Sequence, residues 1–201
     1  PIATHKVGES FVELGSIYLR EKLGLADYLD QNHLPKYGIR FFFDSPHKEQ
    51  IEKRIEVGSK TYTQVKTNQV DRGMLENDLV KMVQDLGVRI LFNTVVKDVE
   101  LENKNHTLVY ENEGIQTTVH SRWIIDASGR SGFLKRKLSL EKALDHSANA
   151  VWLRLDQSID VDDWSEDEEW SKMYPSGIRK FSTTHLMGKG YWVWIIPLTS
   201  G

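Results

Sequence analysis

A chain of 201 residues with 39% hydrophobic and 27% charged positions can bury a sizeable core and reads as an ordinary soluble globular protein. Its net charge of −3 gives no field that would draw nucleic acid or an anionic membrane, and no apolar run approaches a membrane span or a secretory leader. Cysteine is absent, which excludes disulfides and thiolate-bound metal and agrees with a reducing cytoplasm.

The first segment, Lys6-Val7-Gly8-Glu9-Ser10, leads into a helical pattern, where Glu9 suits a helix N-terminus and Ser10 can cap it. Over residues 10–31, Phe11, Leu14, Ile17, Tyr18, Leu25, Tyr28 and Leu29 recur at three- and four-residue steps. Gly24 interrupts them and leaves 25–31 as a second short helix. Leu34-Pro35-Lys36-Tyr37 reads as a loop before a Phe-rich strand over 38–44. Residues 45–54 are charged and loop-like, and Ile55, Val57 and Tyr62 are candidate strand positions within 55–65.

The clearest helix follows, with Asp71 as N-cap, a stripe of Leu75, Leu79, Met82, Val83 and Leu86, and Gly87 as the stop. Residues 88–92 read as a buried strand. Residues 94–101, 107–110 and 115–119 alternate with polar turns between them, a three-stranded meander. An apolar strand over 122–125 ends in Asp126-Ala127-Ser128-Gly129, the kind of strand end at which open α/β sheets bind ligands. Residues 148–155 alternate and begin a different sheet. The stretch 158–171 holds seven Asp or Glu in fourteen positions and reads as a solvated loop or exposed helix, with cover for a substrate pocket or contact with a partner as the functional alternative. The last strand, Tyr191-Trp192-Val193-Trp194-Ile195-Ile196, puts Trp192 and Trp194 on one face and is stopped by Pro197.

Four segments together resemble the flavin-dependent halogenases. They are Gly8-Glu9-Ser10, the Leu34–Phe41 stretch around Lys36, the run Asp126-Ala127-Ser128-Gly129-Arg130-Ser131-Gly132-Phe133-Leu134, and W-x-W-x-I-P at 192–197. Ser182–Gly188 also looks like that family, and the Asp126 run is shared with geranylgeranyl-reductase-like flavoproteins. The resemblance implies an α/β mixed, two-domain FAD-dependent monooxygenase-like fold in which pieces of an FAD-binding domain (1–35 and 71–145) interleave with pieces of an antiparallel-sheet substrate domain (36–70 and 146–201). The opening strand and G-x-G-x-x-G loop of such folds, about forty residues, are missing before Gly8, so the chain reads as an internal fragment.

What the resemblance implies for chemistry is specific. FAD would be bound by Gly8, Glu9, Ser10, Arg72, Asp126 and Gly129, with Asp126 accepting hydrogen bonds from ribityl hydroxyls. Reduced FAD, supplied by a separate flavin reductase, would react with oxygen and halide to give hypohalous acid, which Lys36 would hold beside an electron-rich small-molecule substrate. A lysine suits this because desolvation lets its amine lose a proton; most lysines are instead surface groups. Trp192 and Trp194, with Pro197, would wall the flavin from the substrate, although aromatics at this spacing commonly pack a core. His185 has the chemistry of an acid or base, against the commoner role of a packed imidazole. Two alternatives stand beside this one: a monooxygenase or geranylgeranyl-reductase-like oxidoreductase without halogenase activity, and a non-catalytic fragment that does not bind FAD as a 201-residue chain.

Overall fold

In the computed structural model, which describes residues 4–46 and 49–200, the first helical signal resolves into two short α-helices with a π-helical turn after the first. Helix α1 (Glu13–Ile17) runs into a π-helical turn over Tyr18–Lys22, and Gly24, at φ +68°, separates it from α2 (Ala26–Asn32). The wider turn admits an extra residue and shifts the apolar stripe around the helix. Leu14 and Tyr18 therefore face solvent, while Phe11, Leu19, Leu25 and Tyr28 pack on the buried trio Leu29, Val70 and Leu75. Ser10 is not the cap expected of it: Val12 occupies the N-cap without a side-chain bond.

Ser10 is drawn instead into a small polar sheet. Strand β1 (Leu34–Lys36) pairs antiparallel with β4 (Thr67–Gln69), and Ser10 bridges Gln69 from the other edge. Phe11 N donates to Asn68 O and Val70 N to Glu9 O, so β4 lies between β1 and the Glu9–Phe11 segment. Thr67, Asn68 and Gln69 are all buried. A strand with no apolar residue survives there because its side chains are bonded: Thr67 Oγ1 donates to Lys36 O at 2.8 Å, Asn68 Nδ2 to Leu34 O, and Gln69 Nε2 to Thr183 Oγ1.

Strands β2 (Ile39–Phe42), β3 (Glu56–Gly58), β8 (Thr183–Gly188) and β9 (Tyr191–Ile195) form a sheet ordered β3-β2-β8-β9. The sequence suggested an antiparallel sheet; β2 and β8 pair parallel, and the other neighbours are antiparallel. On one face, Phe42 packs with Ile51, Val161, Trp170 and Leu186. Beneath it, Arg40 and Arg179 share Glu56, and the Arg179 guanidinium lies 3.6 Å over the Trp170 ring. The acidic stretch is thus more than a solvated loop. Asp160 caps a 3₁₀ turn at Val161–Trp164, Asp167 caps α5 (Glu168–Ser171), and the two caps deliver Val161 and Trp170 to the core.

Helix α3 (Arg72–Asp85) starts as expected, with Asp71 Oδ1 accepting from Gly73 N and Met74 N, and Gly87 follows it at φ +82°. The chain divides into two compact units, residues 2–79 with 152–201 and residues 80–151. The second carries the meander β5 (Thr94–Glu100), β6 (His106–Asn112) and β7 (Ile115–Ser121), with a bulge between Val96 and Asp98. Its β6–β7 turn has Glu113 and Gly114 both at positive φ, as a two-residue hairpin of right-handed twist requires. Helix α4 (Phe133–Lys137) follows the Asp126 turn.

Three expected strands are not formed. Residues 88–92, 122–125 and 148–155 pair with no described strand, and Val88, Ile125 and Val151 are exposed, the last at 95%. An apolar run becomes a strand only where a neighbour takes its backbone hydrogen bonds. Among the described residues, no helix is long and apolar enough to cross a membrane.

Candidate functional site

Lys36 ends β1 with its side chain 4% exposed. It is neither a loop residue nor a surface lysine: Nζ donates to Phe11 O at 2.8 Å, across the strand that separates them. Burial pushes its pKa below that of an ordinary amine, and Glu13 opposes the shift. The acceptor belongs to the residue that directly follows Gly8-Glu9-Ser10, so the two sequence segments meet at one hydrogen bond.

The loop itself is held on both sides. Gly8 sits at φ +100°, a conformation that favours glycine, and a Cβ there would lie 2.9 Å from Arg72 Nη1. Arg72 Nη1 donates to Val7 O at 2.5 Å and its Nη2 pairs with Glu76. Glu9 faces Arg154 Nη1 at 3.4 Å, and Arg154 Nη2 reaches Asp71 at 2.9 Å, where Ser200 also bonds. Burial raises the pKa of Glu9 against the pull of Arg154. For Asp71, burial acts upward too, but hydrogen bonds from Ser200 and Arg154 outweigh it and hold the carboxyl low. Ser10 Oγ lies 2.5 Å from Thr183 Oγ1.

Trp192 and Trp194 share a face of β9, their ring centroids 6.0 Å apart, and each is about half exposed. Trp194 meets the His185 ring edge-on at 5.6 Å, and His185 stacks on Phe41 at 4.6 Å. His185 Nδ1 lies 3.3 Å from Arg40 O and 3.2 Å from Thr183 O. Both are acceptors, so Nδ1 carries the proton and Nε2 the lone pair. Burial lowers the pKa of this imidazole, and the charge of Lys36 acts in the same direction. Pro197 follows β9 after Ile195 and precedes the buried Leu198.

Asp126 and Gly129 lie in the unit of residues 80–151, while the other candidates lie in the unit of 2–79 and 152–201. Asp126 Oδ1 accepts from Ser128 N at 2.9 Å and Oδ2 from Leu134 N at 2.8 Å. The Ser128 side chain first, and then these two backbone N–H groups, hold its carboxyl below the usual carboxylate range. The carboxylate is exposed and keeps lone pairs for further donors. Gly129, at φ +60°, has nothing within 4 Å of a Cβ placed on it. A fixed, ionised acceptor beside an open glycine backbone is a donor–acceptor set that fits the polyol of a flavin nucleotide.

Sequence reasoning gave no role to Gln69, Thr183, Arg154 or Ser200. Thr183 lies in the Ser182–Gly188 run but carries no pattern of its own. Gln69 and Ser200 are ordinary polar residues in a sequence, and only their bonds to Thr183 and Asp71 identify them.

Several flavoproteins are similar to this chain. The flavin-dependent halogenase chlA of Dictyostelium discoideum is 28% identical over 222 residues, spanning 98% of this chain and 36% of that protein. Among solved structures, CmlS, a flavin-dependent halogenase, superposes at TM-score 0.66 with 22% identity over 98% of this chain and 33% of its own. The halogenase PltM, in complex with phloroglucinol and FAD, superposes at TM-score 0.69 with 16% identity over 99% of this chain and 42% of its own. A flavoprotein/dehydrogenase from Cytophaga hutchinsonii reaches TM-score 0.66 with 20% identity, over 98% of this chain and 45% of its own. Residues 10–199 match the model of the FAD binding domain, and the chain belongs to that family of FAD-using proteins.

Proposed function

We propose that this chain is part of an FAD-dependent oxidoreductase of the halogenase type, acting on an electron-rich organic substrate with reduced FAD, oxygen and chloride or bromide. A separate flavin reductase supplies the reduced cofactor. The observation that carries the reading is Lys36: a buried amine with depressed basicity, bonded to the backbone just after Gly8-Glu9-Ser10. Likeness to chlA over 98% of the chain supports it.

FAD, when bound, delivers electrons to oxygen. In this reading Gly8, Glu9, Ser10, Arg72, Asp126 and Gly129 are the residues that would bind it, with Asp126 accepting hydrogen bonds from its polyol. The FAD-binding pieces are residues 1–35 and 71–145, and the substrate pieces 36–70 and 146–201. Lys36 would hold hypohalous acid by a hydrogen bond, or its neutral amine would take the halogen from it with loss of water; the substrate carbon then takes the halogen and gives up a proton, and the amine is restored. A desolvated amine spends more time neutral, and only the neutral amine has a lone pair to offer. Trp192, Trp194 and Pro197 line the passage and keep the substrate from the distance of about 3–3.5 Å that direct oxygen transfer requires.

The run Asp126–Leu134, which resembles geranylgeranyl-reductase-like flavoproteins as well, favours a second reading, a monooxygenase or reductase of that type without halogenase activity. A third treats these 201 residues alone as a non-catalytic piece without FAD. A halide-free reaction of the full-length protein with reduced FAD and labelled oxygen separates the first two. The halogenase reading expects hydrogen peroxide and no hydroxylated product by mass spectrometry; stoichiometric hydroxylation would put the monooxygenase first.

A further inference from the structure

The carbonyl that holds Lys36 has no rigid element of its own. Phe11 lies between a glycine-led loop and the first turn of α1; its ring packs on Leu29, Val70 and Leu75, its N–H donates to Asn68 O, and the direction of its carbonyl depends further on what grips Ser10. Ser10 Oγ lies 2.5 Å from Thr183 Oγ1, and Gln69 Nε2 donates to that same Thr183 oxygen at 3.0 Å. Gln69 is completely buried and Thr183 nearly so. Thr183 is itself anchored, its N–H donating to Gly38 O at 3.0 Å, two residues beyond Lys36. Thr67, at the other end of β4, fixes the Lys36 carbonyl.

From this closed circuit we infer that Gln69 and Thr183 are positioning residues, a latch that sets the Phe11 carbonyl under the Lys36 amine and so fixes where that amine can point. The circuit has the physical marks of a built device. Backbone bonds already pair the stretches near residues 10 and 69, and the Thr183 hydroxyl ties both of them, through side chains, to a third stretch distant in sequence. It places polar groups in a buried position where an apolar residue of the same size would satisfy packing. Polar side chains kept in such a place select one arrangement over others. Loosening any one member removes the side-chain grip on Ser10, so the Phe11 carbonyl turns more freely beneath the amine and the bond to Lys36 weakens. The consequence for halogen transfer rests on the function proposed above; the control of Lys36 by the latch does not.

The test uses the full-length protein with Thr183→Val, which keeps the shape and removes the hydroxyl, and Thr183→Ser, which restores it. Lys36 is labelled with trace acetic anhydride, and its modification is read by peptide mass spectrometry against Lys97 as an internal standard. Thr183→Val should raise Lys36 labelling about fivefold, the equivalent of one lost hydrogen bond, and Thr183→Ser should return it to the parent value. Because Thr183→Val leaves the buried Gln69 amide without its acceptor, the melting temperature should fall by a few degrees with the fold retained, while Lys97 labelling stays at the parent value and marks the effect as local. In the same variants the ratio of halogenated product to hydrogen peroxide should fall and recover in parallel. If Thr183→Val does not fold, Ser10→Ala opens the same circuit from its half-buried end. Lys36 labelling unchanged in the folded variant overturns the latch. A labelling shift in a protein that never makes halogenated product keeps the latch and rejects the halogenase reading.

Discussion

Replacing Arg179 with methionine tests the framework beneath the site. Arg179 is 1% exposed and satisfies three partners at once: Glu56 through Nε at 2.9 Å and Nη2 at 3.0 Å, Asp162 through Nη1 at 2.8 Å, and Trp170 O through Nη2 at 2.9 Å. Its guanidinium also stacks on Trp170 and Tyr174. Removing one member of a buried ion pair costs about 3–5 kcal/mol because a charge is left uncompensated. Two features place the loss near the lower bound. Glu56 retains Arg40 at 2.5 Å, and Asp162, at 30% exposure, can rehydrate. Methionine also keeps part of the stem packing. The expected loss is about 3 kcal/mol in urea unfolding followed by tryptophan fluorescence. The exposed pair Lys172–Glu168 supplies the contrast: Lys172→Ala should change stability by less than about 1 kcal/mol. A loss below about 1 kcal/mol for Arg179→Met would refute the view that this network holds β2, β3 and the acidic stretch together.

Further expectations concern pH and the cofactor. Burial depresses the folded-state pKa of His33 and His185 below the ordinary 6.5. The native state therefore binds fewer protons than the unfolded one in that window, so stability is fully present above about pH 6.5 and falls on acidification until the folded pKa values are passed. Urea midpoints between about pH 5 and 7.5 should show this slope, and a double His33→Gln, His185→Gln variant should flatten it; an unchanged slope would remove both histidines from the account. Asp126→Ala in the full-length protein should weaken FAD binding about tenfold, the scale of a lost hydrogen bond to a charged acceptor. Equal affinity in a flavin-fluorescence titration would take Asp126 out of the site.

Much of this fold was legible because its signals are local. Asp71 and Gly87 bound α3, the Glu113-Gly114 turn sets the β6–β7 hairpin, and the alternation around Trp192 and Trp194 marks β9. What was hidden depends on partners distant in sequence. The polar strand Thr67–Gln69 has no periodic signature, because its burial is enabled by hydrogen bonds to Lys36, Leu34 and Thr183. The π turn at Tyr18–Lys22 left Leu14 outside the core despite its correct spacing. Residues 122–125 read as a strand from composition, but no described neighbour takes up their backbone bonds. At the candidate site the motif residues could be named from the chain, while the contact between Lys36 and Phe11 could not, since it links residues on either side of a third strand.

Lys36 is the residue on which the proposed halogen transfer depends. The decisive measurement is a single-turnover reaction of full-length Lys36→Ala with reduced FAD, oxygen, halide and an electron-rich aromatic substrate, with product and hydrogen peroxide quantified together. If Lys36 carries the halogen, halogenated product disappears while oxygen consumption continues and ends as hydrogen peroxide. Undiminished halogenated product from the alanine variant would contradict that role and move the chemistry to another residue.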